Sequence, residues 1–175
     1  MSNKMQPDTV IRQAQLADLE NINWIEEQNF SPEEAASPAA MQERIEVIAD
    51  TFLVLELQGQ VVAYVVGPAL PERYLTDAIF EKVVANPAQG GFIAVQSLSV
   101  HPAYQGQGLG ILLLAALKEL AVQQNRAGIS LTCHDELVTY YQMNGFSDEG
   151  LSESSHGGAS WWNMVWENPY YEVTS

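Results

Sequence analysis

The chain has 175 residues, of which 47% are hydrophobic, and these values predict one folded domain over residues 1–175 rather than a disordered chain. Its 22 acidic and 7 basic side chains give a formal net charge of −15, which argues against nucleic-acid and anionic-membrane partners. The charge either serves solubility alone or attracts an amine-bearing substrate to an acidic cleft. The sequence has no apolar run near the ~18 residues of a membrane span, no secretory signal and a single cysteine, so we expect a cytoplasmic protein without an internal disulfide.

The first part of the chain predicts two helices and three strands. Apolar residues at helical spacing predict a helix from Asp18 to about Asn29, and the start signal Ser37-Pro38 predicts a second one from Pro38 to about Ala49. A capping-box pattern at residues 31–34 suggests that the connection between them is kinked and part-helical. Strands are predicted at residues 10–14, 51–57 and 61–66, the last two being joined by a hairpin turn.

The second part begins with a long connection, residues 67–91, with a short helix predicted at residues 75–84. A connection of this length usually has a function. The elements predicted beyond it are a strand buried on both faces at 92–100, an amphipathic helix from Leu109, a strand at 128–133, a helix at 135–143 and two closing strands at 146–154 and 160–167. This order predicts an α/β fold in which helices flank both faces of one mixed sheet.

A glycine-rich loop separates the strand at 92–100 from the amphipathic helix. Gly106, Gly108 and Gly110 occupy three of five positions, and glycine lets main-chain N–H groups turn toward an anion at the positive end of a helix. A nucleoside-triphosphate loop would end in Lys and Ser or Thr, whereas Ile111 and Leu112 follow here, and the glycine spacing is wrong for a dinucleotide loop. The loop therefore predicts a pyrophosphate-bearing cofactor, and a turn that only caps the helix is the structural alternative.

Two motifs carry a family resemblance. Gln105, Gly108 and Gly110 form Gln-x-x-Gly-x-Gly, which resembles the acetyl-CoA loop of the GCN5-related N-acetyltransferases (GNAT). Residues 140–146, Tyr-Tyr-Gln-Met-Asn-Gly-Phe, resemble the aromatic-Tyr-x-x-x-Gly-Phe segment of the same family. The resemblance covers about residues 9–167, and it implies the GNAT acyl-CoA N-acyltransferase fold with acetyl-CoA as acetyl donor and no metal.

Within that family, residues 131–141 and 72–76 resemble the arylalkylamine N-acetyltransferase branch, which acetylates aromatic amines. Animal members of that branch carry a His-x-His pair on the fourth strand, thought to relay the proton of the amine through water. The matching positions here are Ala94 and Gln96, and neither side chain accepts a proton at neutral pH. The route of that proton is therefore open.

The resemblance also assigns residue roles. Tyr141 would act as the general acid that protonates the thiolate of coenzyme A, since a phenol still holds its proton at pH 7. Main-chain groups of the segment Leu98, Ser99 and Val100 would hold the pantetheine arm, and the N–H of Leu98 would polarise the thioester carbonyl. The main-chain amides that would hold the pyrophosphate belong to Gln105, Gly106, Gln107, Gly108, Leu109 and Gly110.

The proton acceptor has several candidates. Gln96 would orient a water that leads to a carboxylate. Glu27 is one candidate for that carboxylate if the first helix faces the cleft; otherwise Glu27 is a solvated helix residue. His134 could titrate near neutrality or be an ordinary surface residue, and His101 and His156 are expected in turns. The pairs Glu26-Glu27 and Glu33-Glu34 are interpreted as helix faces and caps, and no metal-ligand spacing is present.

Three alternative functions are compatible with this sequence. The first is acetyl-CoA-dependent acetylation of a primary amine on a small, aromatic or polyamine-like molecule; the others are acetylation of a peptide amino terminus, and acyl-CoA binding without turnover. Residues 67–91 favour the first, because they suggest a closed pocket. Trp161 and Trp162 must point to opposite faces of the last strand, so one of them would line that pocket or form the edge of a homodimer.

Overall fold

The computed structural model of the chain describes residues 8–154 and 160–173, which form two β-sheets with helices on both sides. In the first sheet the strands are antiparallel and follow the order β1 (Thr9–Gln13), β2 (Phe52–Leu57), β3 (Gln60–Val66) and β6 (Ser97–Val100). In the second sheet the order is β4 (Ala69–Leu70), β5 (Phe92–Ala94), β7 (Gly128–Cys133), β9 (Trp162–Glu167) and β8 (Ser147–Leu151). There β5 and β7 are parallel and the other neighbours are antiparallel.

Helices cover both faces. On one face, α1 (Leu19–Asn29) and α2 (Pro38–Val47) bury apolar side chains such as Ile22 against β2 and β3. On the other face, the leucines of α3 (Leu109–Gln123) and the aromatic residues of α4 (Val138–Met143) join the larger apolar core. No helix within the described residues is long and apolar enough to cross a lipid bilayer.

The segment 92–100 was expected to be one strand, but it is divided between the two sheets. The N–H of Val95 still donates to the carbonyl of Ser130 in β7, at 2.8 Å. The next N–H, that of Gln96, donates to the carbonyl of Val66 in β3, also at 2.8 Å. Because the chain changes partner here, β6 and β7 diverge beyond this point, and the single mixed sheet that the sequence predicts becomes two sheets.

Gly67, which follows β3, allows this exchange of partners. A Cβ atom at Gly67 would lie 1.9 Å from the carbonyl oxygen of Ala94, so a side chain there would push β5 away. Because Gly67 has no side chain, the main chain after β3 in the first sheet can pack directly against β5 in the second.

Other differences are local. The predicted helix at residues 75–84 is a single 3₁₀ turn, Asp77–Phe80, although Leu75, Ile79 and Val83 are all buried. The connection at residues 30–37 forms turns without a helix. The predicted helix at 135–143 begins as a 3₁₀ turn, Asp135–Leu137, before α4. The expected hairpin turn at Gln58 and Gly59 is present, with both residues at positive φ.

Candidate active site

The divergence of β6 and β7 opens two neighbouring cavities between the sheets. The first, which we call the inner cavity, has a volume of about 110 Å³ and includes Glu26, Glu34, Gln96 and His134 in its lining. The second, the outer cleft, runs along β6 to the glycine-rich loop and includes Ser99, Val100, Gln105, Gly110 and Tyr140. Four residues line both and mark where the two meet: Phe30, Leu98, Leu137 and Tyr141.

The main chain of β6 presents hydrogen-bonding groups to this opening. The N–H of His101 donates to the carbonyl of Val62 at 2.7 Å, and the register pairs Tyr64 with Ser99. Hydrogen-bonded pairs alternate along an antiparallel ladder, so the N–H and carbonyl groups of Leu98 and Val100 face away from β3. The main chain of both residues thus borders the outer cleft, and its contact with pantetheine stays a prediction.

Side chains tie this edge to α1 and to the loop. Asn29 Nδ2, at the end of α1, donates to the carbonyl oxygen of Val100 at 2.7 Å and to Ser99 Oγ at 2.6 Å. Gln105 Nε2 donates to the same carbonyl at 3.1 Å and to Asn29 Oδ1 at 3.2 Å. The side chains of Ser99 and Gln105 thus hold the framework together, which leaves main-chain groups for any cofactor contact.

The glycine-rich loop has the conformation that anion binding requires. Gly106 and Gly108 have φ of 79° and 80°, in the left-handed region, and Gly108 caps the 15-residue helix α3. The first N–H groups of such a helix lack intrahelical partners and attract anions. A Cβ atom at Gly110 would lie 2.9 Å from the hydroxyl of Tyr140 at the rim of the outer cleft. The loop therefore fits a diphosphate group.

The remaining predicted loop residues stand beside the outer cleft. Gln107 is exposed, like Gly106, whereas the side chain of Leu109 is buried in the apolar core. Contact of these residues with a cofactor would therefore involve the main chain, and it stays a prediction.

Tyr141 is buried at the junction of the two cavities, with 8% of its surface exposed. Its ring packs edge-on against Tyr140 and Phe146, at centroid distances of 5.1 and 5.7 Å. Burial, with smaller contributions from Tyr140 and Cys133, raises the pKa of Tyr141 above the ordinary value of a phenol. The hydroxyl is therefore protonated at neutral pH and can act as a proton donor.

Glu26 supplies a carboxylate that the sequence analysis did not place in the site. It is 3% exposed and lines the inner cavity. Its Oε1 accepts hydrogen bonds from the hydroxyl of Tyr64 and from Ser97 Oγ, the latter at 2.8 Å, and its Oε2 accepts from the N–H of Ala36 at 2.9 Å. Three donors therefore hold this anion in a fixed position.

Of the two expectations for Glu27, a carboxylate at the cleft and a solvated helix residue, the structure confirms the second. Glu27 is exposed on the outer face of α1, because it is one position, or about 100°, away from Glu26 around the helix. A signal for Glu26 was present: it follows the buried Ile22 by four residues and therefore lies on the apolar face of the helix. A charged residue in that position needs partners inside the protein.

His134, at the end of β7, is not an ordinary surface residue. Its Nε2 lies 2.9 Å from Oε2 of Glu34, and its ring stacks on Trp161 at a centroid distance of 4.2 Å. All three residues line the inner cavity. Trp162 points to the opposite face of β9 and packs against the larger core, as the alternation of a strand requires.

The other predicted candidates take different places. Gln96 lines the inner cavity, where its Nε2 donates to the carbonyl of Ile79 at 2.5 Å, while its buried Oε1 has no hydrogen-bond partner within residues 8–154 and 160–173. Ala94 is buried in a small apolar cluster. His101 Nδ1 accepts from the N–H of Ala103 at 3.0 Å, so it is the turn residue that was expected. His156 lies outside the described residues.

Residues 8–154 and 160–173 contain no group of side chains suited to holding a metal ion. Nowhere in that part of the chain do three His, Cys, Asp or Glu side chains come together as a metal ion would need.

Comparison with known proteins identifies the family. Residues 16–146 match the acetyltransferase (GNAT) family. Among solved structures, the GphF GNAT-like decarboxylase in complex with isobutyryl-CoA superposes with a TM-score of 0.73, at 16% identity over 91% of this chain and 99% of that one. The yncA protein of Salmonella typhimurium, solved with its cofactor acetyl-CoA, gives 0.67 at 19% identity over 95% and 98% of the two chains. The ribosomal-protein-S18-alanine N-acetyltransferase of Escherichia coli gives 0.64 at 15% identity over 95% and 96%.

At these identities the solved structures establish a shared fold, and the GNAT fold that the sequence predicts is confirmed. The family match covers most of the chain and includes both motifs, the glycine-rich loop and the segment around Tyr141. The chain therefore belongs to the acetyltransferase (GNAT) family and is an N-acetyltransferase.

Proposed function

We propose that this enzyme acetylates the primary amine of a small cationic molecule that carries an apolar, preferably aromatic, group. One observation carries the proposal: the inner cavity combines the carboxylates of Glu26 and Glu34 with aromatic side chains and meets the outer cleft at Tyr141. The acceptor would occupy the inner cavity and acetyl-CoA the outer cleft, so that the amine and the acetyl group come together beside Tyr141.

The lining of the inner cavity suits an ammonium group on an apolar body. Glu26 provides a fixed negative charge, and a buried charge acts over short distances with little screening. Phe30, Phe80 and Trp161 provide ring surfaces for an aromatic or alkyl group and for cation–π contact. The net charge of −15 would also draw a cation toward the protein.

The outer cleft suits the elongated donor. Main-chain groups of Leu98 and Val100 would pair with the pantetheine amides, and the amides around Gly108 would hold the diphosphate. When bound, acetyl-CoA supplies a thioester carbonyl, which is the electrophile of the reaction. The N–H of Leu98 faces the cleft and would polarise that carbonyl.

Two side chains are proposed to act on the reacting atoms. Tyr141 Oη would pass a proton to the sulfur atom as the C–S bond breaks, and the second proton of the amine nitrogen would restore the hydroxyl, because a phenolate with a raised pKa is a stronger base than a thiolate. Gln96 Oε1 would accept a hydrogen bond from the amine or from a water beside it, because it is a buried acceptor at the cavity wall that lacks another partner among the described residues. Gln96 cannot itself remove the proton.

The inner cavity, with a volume of about 110 Å³, favours a small molecule over a peptide. The connection of residues 67–91 contributes Phe80 to the inner cavity, and Arg73 ties the same connection to β8 and β9. Arg73 makes a bidentate ion pair with Glu149, at 2.7 and 2.8 Å. It also makes a single hydrogen bond to the carboxylate of Glu167, at 3.0 Å. The resemblance of residues 131–141 to the arylalkylamine branch supports the same choice.

Thiol release from acetyl-CoA tests this proposal. Purified enzyme would be given a phenylethylamine, an aliphatic diamine or a tripeptide with a free amino terminus, and free thiol would be followed with a disulfide reagent. We expect the highest kcat/KM for the phenylethylamine and release at background for the tripeptide. Cys133 will not interfere, because burial raises its pKa to about 12. A preference for the tripeptide, or no release with any amine, would overturn the proposal.

Tyr141→Phe tests the proton donor. We expect kcat to fall by about 100-fold, the lower end of what general acid catalysis contributes, with the Kd of acetyl-CoA changed by less than about 2-fold. The matched control is Tyr170→Phe, a tyrosine that is 73% exposed, and it should leave both quantities unchanged. Unchanged turnover in Tyr141→Phe would remove this residue from the mechanism.

A further inference from the structure

An acid–histidine pair lines the inner cavity. Glu34 belongs to the connection between α1 and α2, whereas His134 follows β7, 100 residues later. Their side chains meet at 2.9 Å, with 15% of the Glu34 and 35% of the His134 side chain exposed. The two walls of the cavity are thus joined by one hydrogen bond, at a point that solvent reaches.

The neighbours of His134 fix its ring. A carboxylate opposite Nε2 favours the tautomer in which Nε2 carries the hydrogen, and the lone pair is then on Nδ1. Stacking on Trp161, with 27° between the ring planes, restricts rotation of the imidazole. A base that is held by a carboxylate on its far nitrogen is the arrangement that catalytic histidines use in acyl transfer.

We propose that His134 is the proton acceptor of the reaction and that Glu34 orients it; this inference rests on the proposed function. Nδ1 of neutral His134 takes one proton from the ammonium group of the acceptor, directly or through one water. The N–H bond breaks, its electron pair stays on the nitrogen as the nucleophilic lone pair, and the imidazolium that forms is stabilised by the carboxylate of Glu34. The imidazolium then returns its proton to solvent at the exposed edge of the ring.

The other ionisable groups around the inner cavity are less suited to this task. Tyr141 and Cys133 hold their protons, because burial raises the pKa of both groups. Glu26 is 3% exposed, and its two oxygen atoms already accept three hydrogen bonds from the protein, so its carboxylate is engaged as a fixed acceptor.

Charged residues outside the inner cavity also surround the pair. Arg44 of α2 and Glu81 line the adjoining cavity on the far side of Gln96. Asp135 and Glu136 follow His134 in the chain and are exposed. Imidazole is the side chain that ordinarily changes its protonation near neutral pH, which distinguishes His134 from all of these carboxylates and cations.

His134→Gln removes the basic nitrogen but keeps a group that can donate to Glu34. The test compares phenylethylamine with its β,β-difluoro analogue, in which the fluorine atoms withdraw electrons and leave much of the amine neutral at pH 7. We expect kcat/KM at pH 7 to fall by about 100-fold or more for phenylethylamine and by less than about 3-fold for the analogue. For phenylethylamine the deficit should shrink as the pH is raised, because the amine then loses its proton to solvent.

An equal loss for both amines would overturn the proposal, since a merely structural histidine would not distinguish them. Unchanged kcat/KM for phenylethylamine would overturn it as well. If His134→Gln does not fold, Glu34→Gln takes its place: it keeps the shape of the side chain, removes the charge that stabilises the imidazolium, and should lower kcat/KM about 10-fold for phenylethylamine only. A wild-type enzyme that acetylates neither amine would instead indicate that the proposed function is wrong.

The matched control is His101→Gln, in the turn after β6 and outside both cavities. It should change kcat/KM by less than about 2-fold for either amine. The melting temperature and the Kd of acetyl-CoA, measured for every variant, separate the loss of a base from a loss of structure.

Discussion

The carboxylate of Glu26 and the hydroxyl of Tyr64 are hydrogen-bonded to each other in the interior, although 38 residues separate them in the sequence. The bond fastens α1 to the central strand β3. Burial, the charge of Glu26 and this hydrogen bond all raise the pKa of Tyr64, so the phenol remains a donor. The anion of Glu26 is consequently fixed at the wall of the inner cavity, where a cationic substrate would meet it.

Glu26→Gln should weaken recognition of the acceptor. The substitution keeps the shape of the side chain but removes the charge, so we expect KM for a cationic amine to rise at least about 10-fold, which corresponds to ~1.4 kcal/mol. The Kd of acetyl-CoA, measured by calorimetry, should change by less than about 2-fold because Glu26 does not line the outer cleft.

The adjacent residue provides the control for that measurement. Glu27→Gln removes the same charge from the same helix, but at an exposed position. Its KM should stay within about 2-fold of the wild-type value. If both variants raise KM equally, the general negative charge of the surface, rather than Glu26, would account for substrate recognition.

Gly108→Ala should lower the affinity for acetyl-CoA. The φ of Gly108 is 80°, and a left-handed conformation costs a residue with a side chain about 1–2 kcal/mol. A Cβ atom there would meet no other atom within 4 Å, so the effect would come from the main chain alone. Relaxation of φ would turn the first N–H groups of α3, and we expect the Kd of acetyl-CoA to rise about 10-fold in calorimetry.

Gly59→Ala is the control that separates an effect on the diphosphate site from the general cost of backbone strain. Gly59 has φ of 81°, lies in the hairpin turn between β2 and β3, and also has open space around a built Cβ. Both variants should lose a similar amount of stability in urea, whereas only Gly108→Ala should bind acetyl-CoA less tightly. Equal Kd values for the two variants would count against the loop as the diphosphate site.

The sequence predicts well those parts of the fold that depend on local patterns. The start of α3 and the glycine-rich loop are where they were expected, because glycine spacing and a 3.6-residue apolar period are local signals. The division of residues 92–100 was missed, since the choice between β3 and β7 as a partner depends on residues about 30 positions away on either side. Extended, apolar strands look alike in either sheet.

The candidate site shows the same limit. Tyr141 and Gln96 were named from motifs, and both line the inner cavity. The pairing of Glu34 with His134 was not foreseen, because no pattern in the sequence relates residues 100 positions apart. Glu26 was within reach, since its place on the apolar face of α1 can be read from the spacing to Ile22.

Asp18→Asn should destabilise the protein in a pH-dependent way. Arg12 donates two hydrogen bonds to Asp18, at 2.8 and 2.9 Å, and the N–H of Gln15 donates a third. The hydrogen bonds from Arg12 lower the pKa of Asp18, against the opposing effect of burial. At pH 7 we expect a loss of about 1–3 kcal/mol in the free energy of unfolding, the cost of removing a charged, buried hydrogen-bond partner.

The sign of the pH dependence follows from the lowered pKa of Asp18. At a pH near or below the ordinary value of about 3.9, the unfolded chain binds a proton at Asp18 before the folded chain does, so acidification favours unfolding. The stabilisation is therefore complete above about pH 5 and disappears as the pH falls through the lower, folded-state pKa. Urea denaturation at pH 7, 4 and 3 should show the gap between wild type and Asp18→Asn narrowing in that order. Glu119→Gln, an exposed change away from the first turn of α3, should show no gap at any pH. A gap for Asp18→Asn that stays constant down to pH 3 would mean that packing, not charge, explains the loss.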